Sequence, residues 1–400
     1  MTRLTGHPAR AAARTLALAG VLGVAACEFD AKNPTAITEE GLGTDAAMTA
    51  LMNGVIGNYD YAYDRIVMFT GLISDELRAS GSWLSWHIAD KDGIIQPDAP
   101  LGDHMNIPYR TWPELHRARA SAVEAYDWMQ RTLEDPARDP RVATVKLYEG
   151  LTYVDFAELF CEAAYDGGAS VPPEQSFEMG IERLAEAIAI AQAASADSII
   201  ARANLVLARA HFGLGNLDAA LAAAMAVPTG MEWVAHFRDA AGERSYFLFN
   251  INERGESTVD VAFRHTGDPR VPVDSTGRVG PDTETLLWNQ MKYPTYEDDF
   301  IIGKWQEARL IEAEIRLARG EVGRAIALMN EVREAAGLTP LSTSLNAAEA
   351  MQALRVERKY ELFLEGRRMI DMRRWNEFPE GWQGTCIPVP QTERDANPNL

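Results

Sequence analysis

Two stretches of the sequence concentrate flat aromatic side chains beside amide and guanidinium groups. Apolar faces of sugar rings stack on such aromatics, and sugar hydroxyls need amides, carboxylates or guanidinium groups at their edges. We predict a binding platform for an oligosaccharide from these residues, although a peptide would meet the same chemistry and aromatic side chains often lie in the core. The first stretch supplies Arg78, Trp83, Trp86, Asn106, Tyr109 and Trp112, and the second supplies Trp288, Asn289, Tyr293 and Tyr296.

Residues for other kinds of chemistry do not fall into recognisable patterns. The seven histidines show no zinc-like spacing, and the sequence contains no Gly-x-Ser-x-Gly elbow, Walker loop or Gly-x-Gly-x-x-Gly turn. The run Glu297-Asp298-Asp299 could contact a calcium ion, but successive carboxylates commonly form a solvated surface. We therefore predict no metal site, no cofactor and no catalytic residues.

The first 27 residues have the organisation of an exported lipoprotein. Three arginines form a positive leader, and Thr15 to Ala26 is an uncharged stretch of signal-peptide length that is too short to span a bilayer. Small residues then run into Cys27, which looks like a bacterial lipobox, where the cysteine receives a lipid. We predict a signal peptide over 1–26 and a lipidated tether over 27–45. An ordinary secretory signal with a nearby cysteine is the alternative.

The two remaining cysteines support export. Cys161 and Cys386 are an even pair, as is typical of a chain in an oxidising compartment. A disulfide between them would close a long loop and fix the C-terminal tail to the body, which the chain-entropy model values at roughly 4 kcal/mol or more. We predict this disulfide, with two buried free thiols as the alternative.

Acidic side chains outnumber basic ones. The sequence contains 58 Asp and Glu against 38 Lys and Arg, a formal net charge of -20 that would become -23 without the three leader arginines. Such a surface repels nucleic acid phosphates and acidic polymers. We predict no nucleic acid partner, and the overall charge favours a neutral ligand or a partner with a basic face.

Helical periodicity dominates the body of the chain. Segments 199–228 and 303–337 each place small residues around a glycine between two amphipathic helices, a spacing typical of the tetratricopeptide repeat. Segment 141–194 is a degenerate third pair, and a final pair could start at 347–365. The predicted fold is mainly α, a tetratricopeptide-like helical-repeat scaffold over 46–400 with irregular loops and a few short strands.

Two insertions, 78–112 and 229–300, interrupt the helical pattern and contain both platform stretches. Within the second insertion, 246–250 and 258–263 alternate or are rich in β-formers, and we predict short strands there. Long irregular segments on a rigid frame commonly carry binding residues. The insertions are therefore the predicted location of the ligand site.

The C-terminal part carries a dense run of charges. Residues 357–375 read ERKYELFLEGRRMIDMRRW, which looks like the ER-x2-EL-x2-EG-x-R-x2-D-x2-RW signature of the SusD/RagB family. The ending IPVPQ at 387–391 with DANPNL at 395–400, and the Asp268-Pro-Arg270 motif, are similar to the family as well. The matching signature residues are Glu357, Arg358, Glu361, Glu365, Gly366, Arg368, Asp371, Arg374 and Trp375.

The signature also has a physical interpretation. On a helix, its three glutamates at four-residue spacing would form one charged stripe. Arg358 lies three residues before Glu361, while Arg368 lies three after Glu365 and three before Asp371, so local ion pairs are available. We interpret the signature as a structural network that fixes the last helices to the body, and not as catalytic machinery.

The resemblance implies a lipid-anchored helical-repeat protein on the outer face of the outer membrane. Such a protein caps a TonB-dependent barrel transporter of the SusC type, captures a nutrient, often an oligosaccharide, and hands it over without breaking a bond. The implied partners are a SusC-like transporter, an oligosaccharide or other nutrient, and membrane lipid. Two alternatives remain open: a helical-repeat scaffold lipoprotein without a small ligand, and an all-α glycosidase using two carboxylates.

Overall fold

The computed structural model describes residues 44–93, 95, 107–382 and 384–400. The predicted leader, Cys27, nearly all of the tether and Asn106 lie outside these residues. The described helices are α1 (Asp45–Leu72), α2 (Leu84–Asp92), α3 (Ile107–Thr132), α4 (Pro140–Leu159), α5 (Pro173–Ala193), α6 (Asp197–Gly213), α7 (Leu217–Met225), α8 (Tyr246–Leu248), α9 (Trp305–Ala318), α10 (Val322–Ala335), α11 (Ala347–Glu361), α12 (Arg368–Trp375) and α13 (Gln391–Ala396).

Short strands are interspersed among the helices. Within the described residues they form three antiparallel pairs, β1 with β3, β2 with β6, and β4 with β5. Their bounds are β1 (Leu77–Ala79), β2 (Glu232–Ala235), β3 (Ser257–Val259), β4 (Val273–Val279), β5 (Leu286–Gln290) and β6 (Phe300–Lys304). The mainly α prediction with a few short strands is confirmed.

The predicted helix pairs are present as α4–α5, α6–α7 and α9–α10. Glycines allow the first pair to pack closely, because a Cβ atom on Gly150 would lie 2.7 Å from the Leu184 side chain and one on Gly180 would lie 3.0 Å from the Gly150 carbonyl oxygen. Neighbouring pairs share apolar cores, for example around Leu205 of α6 and Ile311 of α9. Stacked pairs of this kind form an extended frame.

Helix α1 connects this frame to the C-terminal signature. Its buried rings Tyr59 and Tyr63 stack at 6.0 Å between centroids. The Tyr63 hydroxyl lies 2.5 Å from the Ile301 carbonyl oxygen and 3.0 Å from that of Glu365. One side chain of α1 therefore joins β6 to the turn after α11.

The C-terminal tail is fixed to the end of α4. Cys161 and Cys386 form a disulfide with a Cα–Cα distance of 5.1 Å. Ile387 donates its N–H to the Leu159 carbonyl at 2.8 Å and accepts the N–H of Cys161 at 3.0 Å. Covalent and backbone contacts thus hold the tail at the same place.

The signature glutamates form a buried ion-pair network with cations from earlier elements. Glu357 accepts from Arg270 at 2.7 Å, so the Asp268-Pro-Arg270 motif contacts the signature directly. Lys304 lies 2.9 Å from Glu361 and 2.7 Å from Glu365. Each carboxylate is less than 7% exposed. Since a buried charge needs a partner, this network fixes α11 against the preceding segments.

The predicted local pairing of Arg358 and Arg368 is wrong. Arg358 forms a bidentate pair with Asp371 at 2.8 and 2.9 Å, and Arg368 pairs with Asp75 and Glu377. The chain does not continue as one helix, because α11 ends at Glu361 and Gly366 adopts a positive φ of 72° before α12 begins. The turn breaks the helical spacing between Glu365 and Arg368. It also brings Asp371 of α12 to Arg358 of α11, so a partner from the next helix replaces the local one.

The predicted strand at 246–250 is also wrong. This segment forms α8 followed by a π-helical turn, Phe249–Glu253. The buried carboxylate of Asp64 accepts the N–H groups of Tyr246 and Phe247 at 2.8 and 3.1 Å, and the Ser245 hydroxyl accepts that of Leu248. Satisfied N–H groups at its first turn stabilise a helix despite the aromatic sequence.

The insertions are more regular than predicted. Only the first part of 258–263 belongs to a strand, β3, and a 3-10 turn, Val261–Phe263, follows it. The first insertion contains α2, and α3 already begins at Ile107, so part of the predicted irregular platform is helical. None of the helices in the described part of the chain is both long enough and apolar enough to cross a membrane.

Candidate ligand-binding site

The two predicted platform stretches meet at Thr258, in the middle of β3. Arg78 on β1 lies directly opposite Thr258 in the antiparallel ladder, and directly opposite side chains share one face. The Thr258 hydroxyl donates to the Trp288 carbonyl oxygen at 3.0 Å and accepts the Trp288 N–H at 2.6 Å. The structure therefore brings together residues that are distant in sequence, at a place we name the Thr258 junction (Arg78, Thr258 and Trp288).

The indole of Trp288 is half-buried and held from two directions. The guanidinium carbon of Arg264 lies 5.5 Å from the ring centroid, and the His265 imidazole meets the indole edge-on at 4.6 Å between centroids. Arg264 is itself fixed by two hydrogen bonds to the Val259 carbonyl oxygen, at 2.7 and 2.9 Å. These contacts orient the indole and leave part of it exposed to solvent.

A second half-buried indole, that of Trp83, lies next to β3. It meets Trp86 nearly perpendicularly at 4.6 Å between centroids, and the Arg254 guanidinium carbon lies 4.7 Å from its centroid. Glu256 pairs with Arg254 at 2.7 Å and accepts the N–H of Ser82 at 2.8 Å. Because Glu256 immediately precedes β3, these contacts connect Trp83 to the strand that carries Thr258.

Three predicted platform aromatics lie in the core. Trp86, Trp112 and Tyr293 are at most 3% exposed. The indole N–H of Trp112 donates to Glu393 at 3.3 Å, and Tyr293 stacks on Phe300 at 4.3 Å between centroids. Rings packed in this way have no free face for a ligand, so these three aromatic residues drop out of the candidate platform.

The remaining predicted residues occupy three different places. Asn289 lies on β5 beside the junction and pairs with Asp274 of β4. Tyr109 is in the first turn of α3 and is 43% exposed. Tyr296 lies beneath Arg244, 5.1 Å from its guanidinium carbon, and borders a separate cavity of about 340 Å³. Of the predicted side chains, those on or next to β1, β3 and β5 are Arg78, Trp83, Trp288 and Asn289.

Sequence reasoning missed the cations that position the two indoles. Arg254 and Arg264 lie in a polar stretch with no periodicity or motif, and His265 adopts a positive φ of 57° in an unpredicted turn. An isolated arginine in a loop carries no pattern that indicates a site. Only the pairing of β1 with β3 and the Thr258 bridge to β5 reveal their position.

Ionisable groups influence one another at the junction. Burial lowers the pKa of Arg264, and the nearby positive charge of Arg78 lowers it further while Asp260 opposes the change. Burial raises the pKa of Asp90 to about 6, an effect opposed by its hydrogen bond from the Ala79 N–H and by Arg78. The junction therefore contains two mutually repelling guanidinium groups.

A different cavity, of about 590 Å³, lies beside the middle of α1. Asp60 lines it and accepts the His236 N–H at 3.0 Å through one carboxylate oxygen, while the other oxygen has no hydrogen-bond partner in the described part of the chain. Burial raises the pKa of Asp60 to about 7. Tyr61 and Phe237 also line this cavity. The guanidinium carbon of Arg65 lies over the Tyr61 ring, 3.7 Å from its centroid.

The acidic run considered as a calcium site makes internal contacts instead. Asp298 accepts the N–H and hydroxyl of Thr295 at 2.5 and 2.8 Å, and Asp299 contacts His236 at 2.9 Å. Across the residues that the structure describes, no group of three or more His, Cys, Asp or Glu side chains could hold a metal ion.

Residues 309–399, from α9 to the tail, match the sequence model of the SusD family. Solved structures match nearly the whole chain. A SusD superfamily protein from Bacteroides vulgatus ATCC 8482 has 15% identity and a TM-score of 0.69, with 88% of this chain and 98% of that one covered. A SusD-like protein from Bacteroides fragilis NCTC 9343 has 13% identity and a TM-score of 0.68, with 91% and 97% covered.

A laminarin binding SusD-like protein is also similar, with 17% identity, a TM-score of 0.65, and 87% of this chain and 97% of that one covered. No curated protein matches the sequence. The shared architecture and the matched signature region define the class, that of SusD-like helical-repeat proteins. Over residues 309–399 the sequence matches the SusD family, and over nearly the whole chain the fold is that of SusD-like proteins.

Proposed function

We propose that this chain is a lipid-anchored protein of the cell exterior that binds a nutrient glycan at the Thr258 junction. It passes the glycan to a TonB-dependent barrel transporter of the SusC type without cleaving it. The match of residues 309–399 to the SusD family model and the similarity to a laminarin binding SusD-like protein support a glycan ligand. The leader over 1–26, which runs directly into Cys27, supports the lipid anchor.

The observation that carries this proposal is the pair of half-exposed indoles, Trp288 and Trp83, next to one short strand. Each indole is oriented by an arginine, Arg264 or Arg254, and Arg78 shares the face of Thr258. A sugar ring can stack on an indole while its hydroxyls accept from guanidinium groups. The arrangement therefore combines both kinds of contact that an oligosaccharide requires.

The way the nearby carboxylates are used supports binding over hydrolysis. A glycosidase needs two carboxyl groups that flank the bond to be broken. At the junction, Asp90 accepts the Ala79 N–H at 3.1 Å, Asp260 accepts the Ala262 N–H at 2.9 Å, and Glu256 pairs with Arg254. These groups hold the local backbone and the arginine in place.

Affinity electrophoresis against a panel of polysaccharides, combined with a reducing-end assay on the same mixtures, tests the proposal. We expect retarded migration with at least one glycan and no new reducing ends. New reducing ends would indicate a glycosidase, for which the partly protonated Asp60 in the 590 Å³ cavity is the first carboxyl group to examine. Neither retardation nor product would favour a scaffold role.

A further inference from the structure

The arginines of the Thr258 junction differ from the buried arginines of the frame. Arg209, Arg358 and Arg367 each form an ion pair with a carboxylate at 2.5 to 2.8 Å. Within the described residues, Arg78 and Arg264 form no ion pair at all, and the Arg264 guanidinium bonds to carbonyl oxygens instead. In a chain with a formal net charge of -20, two neighbouring guanidinium groups without a carboxylate partner require an explanation.

Arg78 also has an unused donor. Its Nε–H is buried and has no hydrogen-bond partner among the residues that the structure describes. A buried donor without a partner costs free energy, and a guanidinium group satisfies its donors best with an anion such as a carboxylate. The next residue along β5 from Trp288, Asn289, likewise has a buried amide oxygen without a partner. The junction therefore contains one buried hydrogen-bond donor and one buried acceptor that no group in the described residues satisfies.

Nearby acids do not neutralise these arginines by direct contact. Among the described residues, neither Asp90 nor Asp260 forms an ion pair with an arginine, and both carboxylates accept backbone N–H groups. Asp282, on the turn between β4 and β5, accepts from the N–H groups of Glu284 and Thr285. These acids bond to the backbone, so within the described ranges the guanidinium groups of Arg78 and Arg264 have no carboxylate in direct contact.

We propose that the glycan bound at the Thr258 junction is acidic, and that Arg78 and Arg264 bind its anionic group while Trp288 stacks on a sugar ring. This inference rests on the proposed function, because it names the ligand class of the same site. Guanidinium groups match carboxylates geometrically, as in uronic acids, and also bind sulfate esters.

The overall negative charge does not prevent such binding. At physiological ionic strength the screening length is about 8 Å, so exposed acids farther away have little effect on a group in contact with the arginines. The sequence-based expectation of a neutral ligand relied on the average charge. The local arrangement around Arg78 and Arg264 favours the opposite ligand class.

Polygalacturonate and its fully methyl-esterified form provide a matched pair of probes, since they share one backbone and differ in charge. Affinity electrophoresis of the full mature chain should show stronger retardation by polygalacturonate or alginate than by the ester or by laminarin. Rising salt should weaken retardation by the acidic polymers only. A sulfated polysaccharide forms a separate arm, and retardation by it alone would support an acidic ligand bound through sulfate.

Variants test the assigned residues. Arg78→Gln and Arg264→Gln should each weaken binding of the acidic probe by about tenfold or more, whereas Arg138→Gln makes the same charge change on an exposed 3-10 turn elsewhere and should not. Arg264→Lys keeps the charge and should retain part of the affinity. Thermal unfolding of each variant separates a lost contact from a lost fold.

Two results would overturn the inference. Equal retardation by the ester and the acid would show that charge is not recognised, while the proposed glycan-binding function would stand. Unchanged affinity for the acidic probe in folded Arg78→Gln and Arg264→Gln would place the anionic contact elsewhere. Binding to no glycan of any charge would instead contradict the proposed function itself.

Discussion

At the scale of single residues, two partly exposed indoles carry the proposed ligand contacts. The Trp288 indole is held by Arg264 and His265, and the Trp83 indole by Arg254 and Trp86. Rings that are already oriented lose little conformational freedom on binding. Each should therefore contribute strongly to affinity for its size.

We expect Trp288→Ala and Trp83→Ala each to weaken glycan binding by about 1–3 kcal/mol, a usual loss for an aromatic contact residue. Isothermal titration with a glycan that retards the wild-type protein provides the measurement. Trp128→Ala is the matched control, since Trp128 is a half-buried indole on α3 beside Arg131. If both site variants keep wild-type affinity, the Thr258 junction is not the platform.

A second residue-scale prediction concerns Glu76, which is buried between α1 and β1. One carboxylate oxygen accepts the Leu364 N–H at 2.7 Å, and burial raises the pKa of Glu76 to about 8. Between the ordinary value near 4.5 and this value, the folded chain holds a proton that the unfolded chain has lost. This group therefore lowers the free energy of unfolding by about 1.4 kcal/mol per pH unit as the pH rises through that window.

Glu76→Gln should flatten this pH dependence between pH 5 and 8, as measured by urea unfolding. Glu307→Gln is the contrasting control: burial alone would raise the pKa of Glu307, but its ion pair with Arg209 lowers it overall. That variant should lose stability at neutral pH instead. The same slope in Glu76→Gln and the wild-type protein would contradict a protonated Glu76.

At the scale of elements, buried ion pairs join helices that are far apart in sequence. Arg209 of α6 and Glu307 of α9 pair at 2.6 Å, with both side chains at most 3% exposed. Removing one partner leaves a buried charge, whereas replacing both with apolar groups removes the unpaired charge. The pair thus positions one helical repeat against the next.

We expect Arg209→Met or Glu307→Leu alone to lower the free energy of unfolding by about 3–5 kcal/mol. The double variant should be less destabilised than the sum of the single variants, because neither charge is left alone. Urea unfolding of the four proteins in this cycle is the measurement. Strictly additive losses would indicate that the two side chains do not interact.

Element prediction succeeded where the pattern is local. The α6–α7 and α9–α10 pairs followed from periodicity and a central glycine, both readable within about thirty residues. The helix α8 did not, because its N–H groups are capped by Asp64, which lies nearly two hundred positions earlier. Likewise, the partner of Arg358 depends on a turn at Gly366 that breaks the expected helical spacing.

The candidate site was predictable only in part, for a similar reason. Arg78 and Trp288 were chosen for their residue types, and strand pairing through Thr258 brings them together. Trp112 and Tyr293 have the same residue types but are buried, and burial depends on tertiary packing. Residue type indicates what an aromatic ring can bind, and only the fold determines whether it is exposed.

At the scale of the whole molecule, the proposed function requires attachment to a membrane. Cys27→Ser should remove the lipid acceptor and move the protein from the membrane fraction to the soluble fraction, because the proposed attachment is the lipid on this cysteine. Fractionation of cells, with detection of the chain in membrane and soluble fractions, provides the measurement. Cys161→Ser with Cys386→Ser is the control, because these cysteines form the disulfide. Continued membrane retention of Cys27→Ser would argue against the anchor.

The central claim is that a glycan binds where β1, β3 and β5 meet. Hydrogen exchange of the full mature chain, with and without a soluble oligosaccharide of the retained glycan, tests it most directly. We predict slower exchange in 77–87, 254–265 and 286–290 and unchanged exchange around the Asp60 cavity, at 53–61 and 236–243. Protection confined to the Asp60 cavity, or none despite saturating oligosaccharide, would contradict the account.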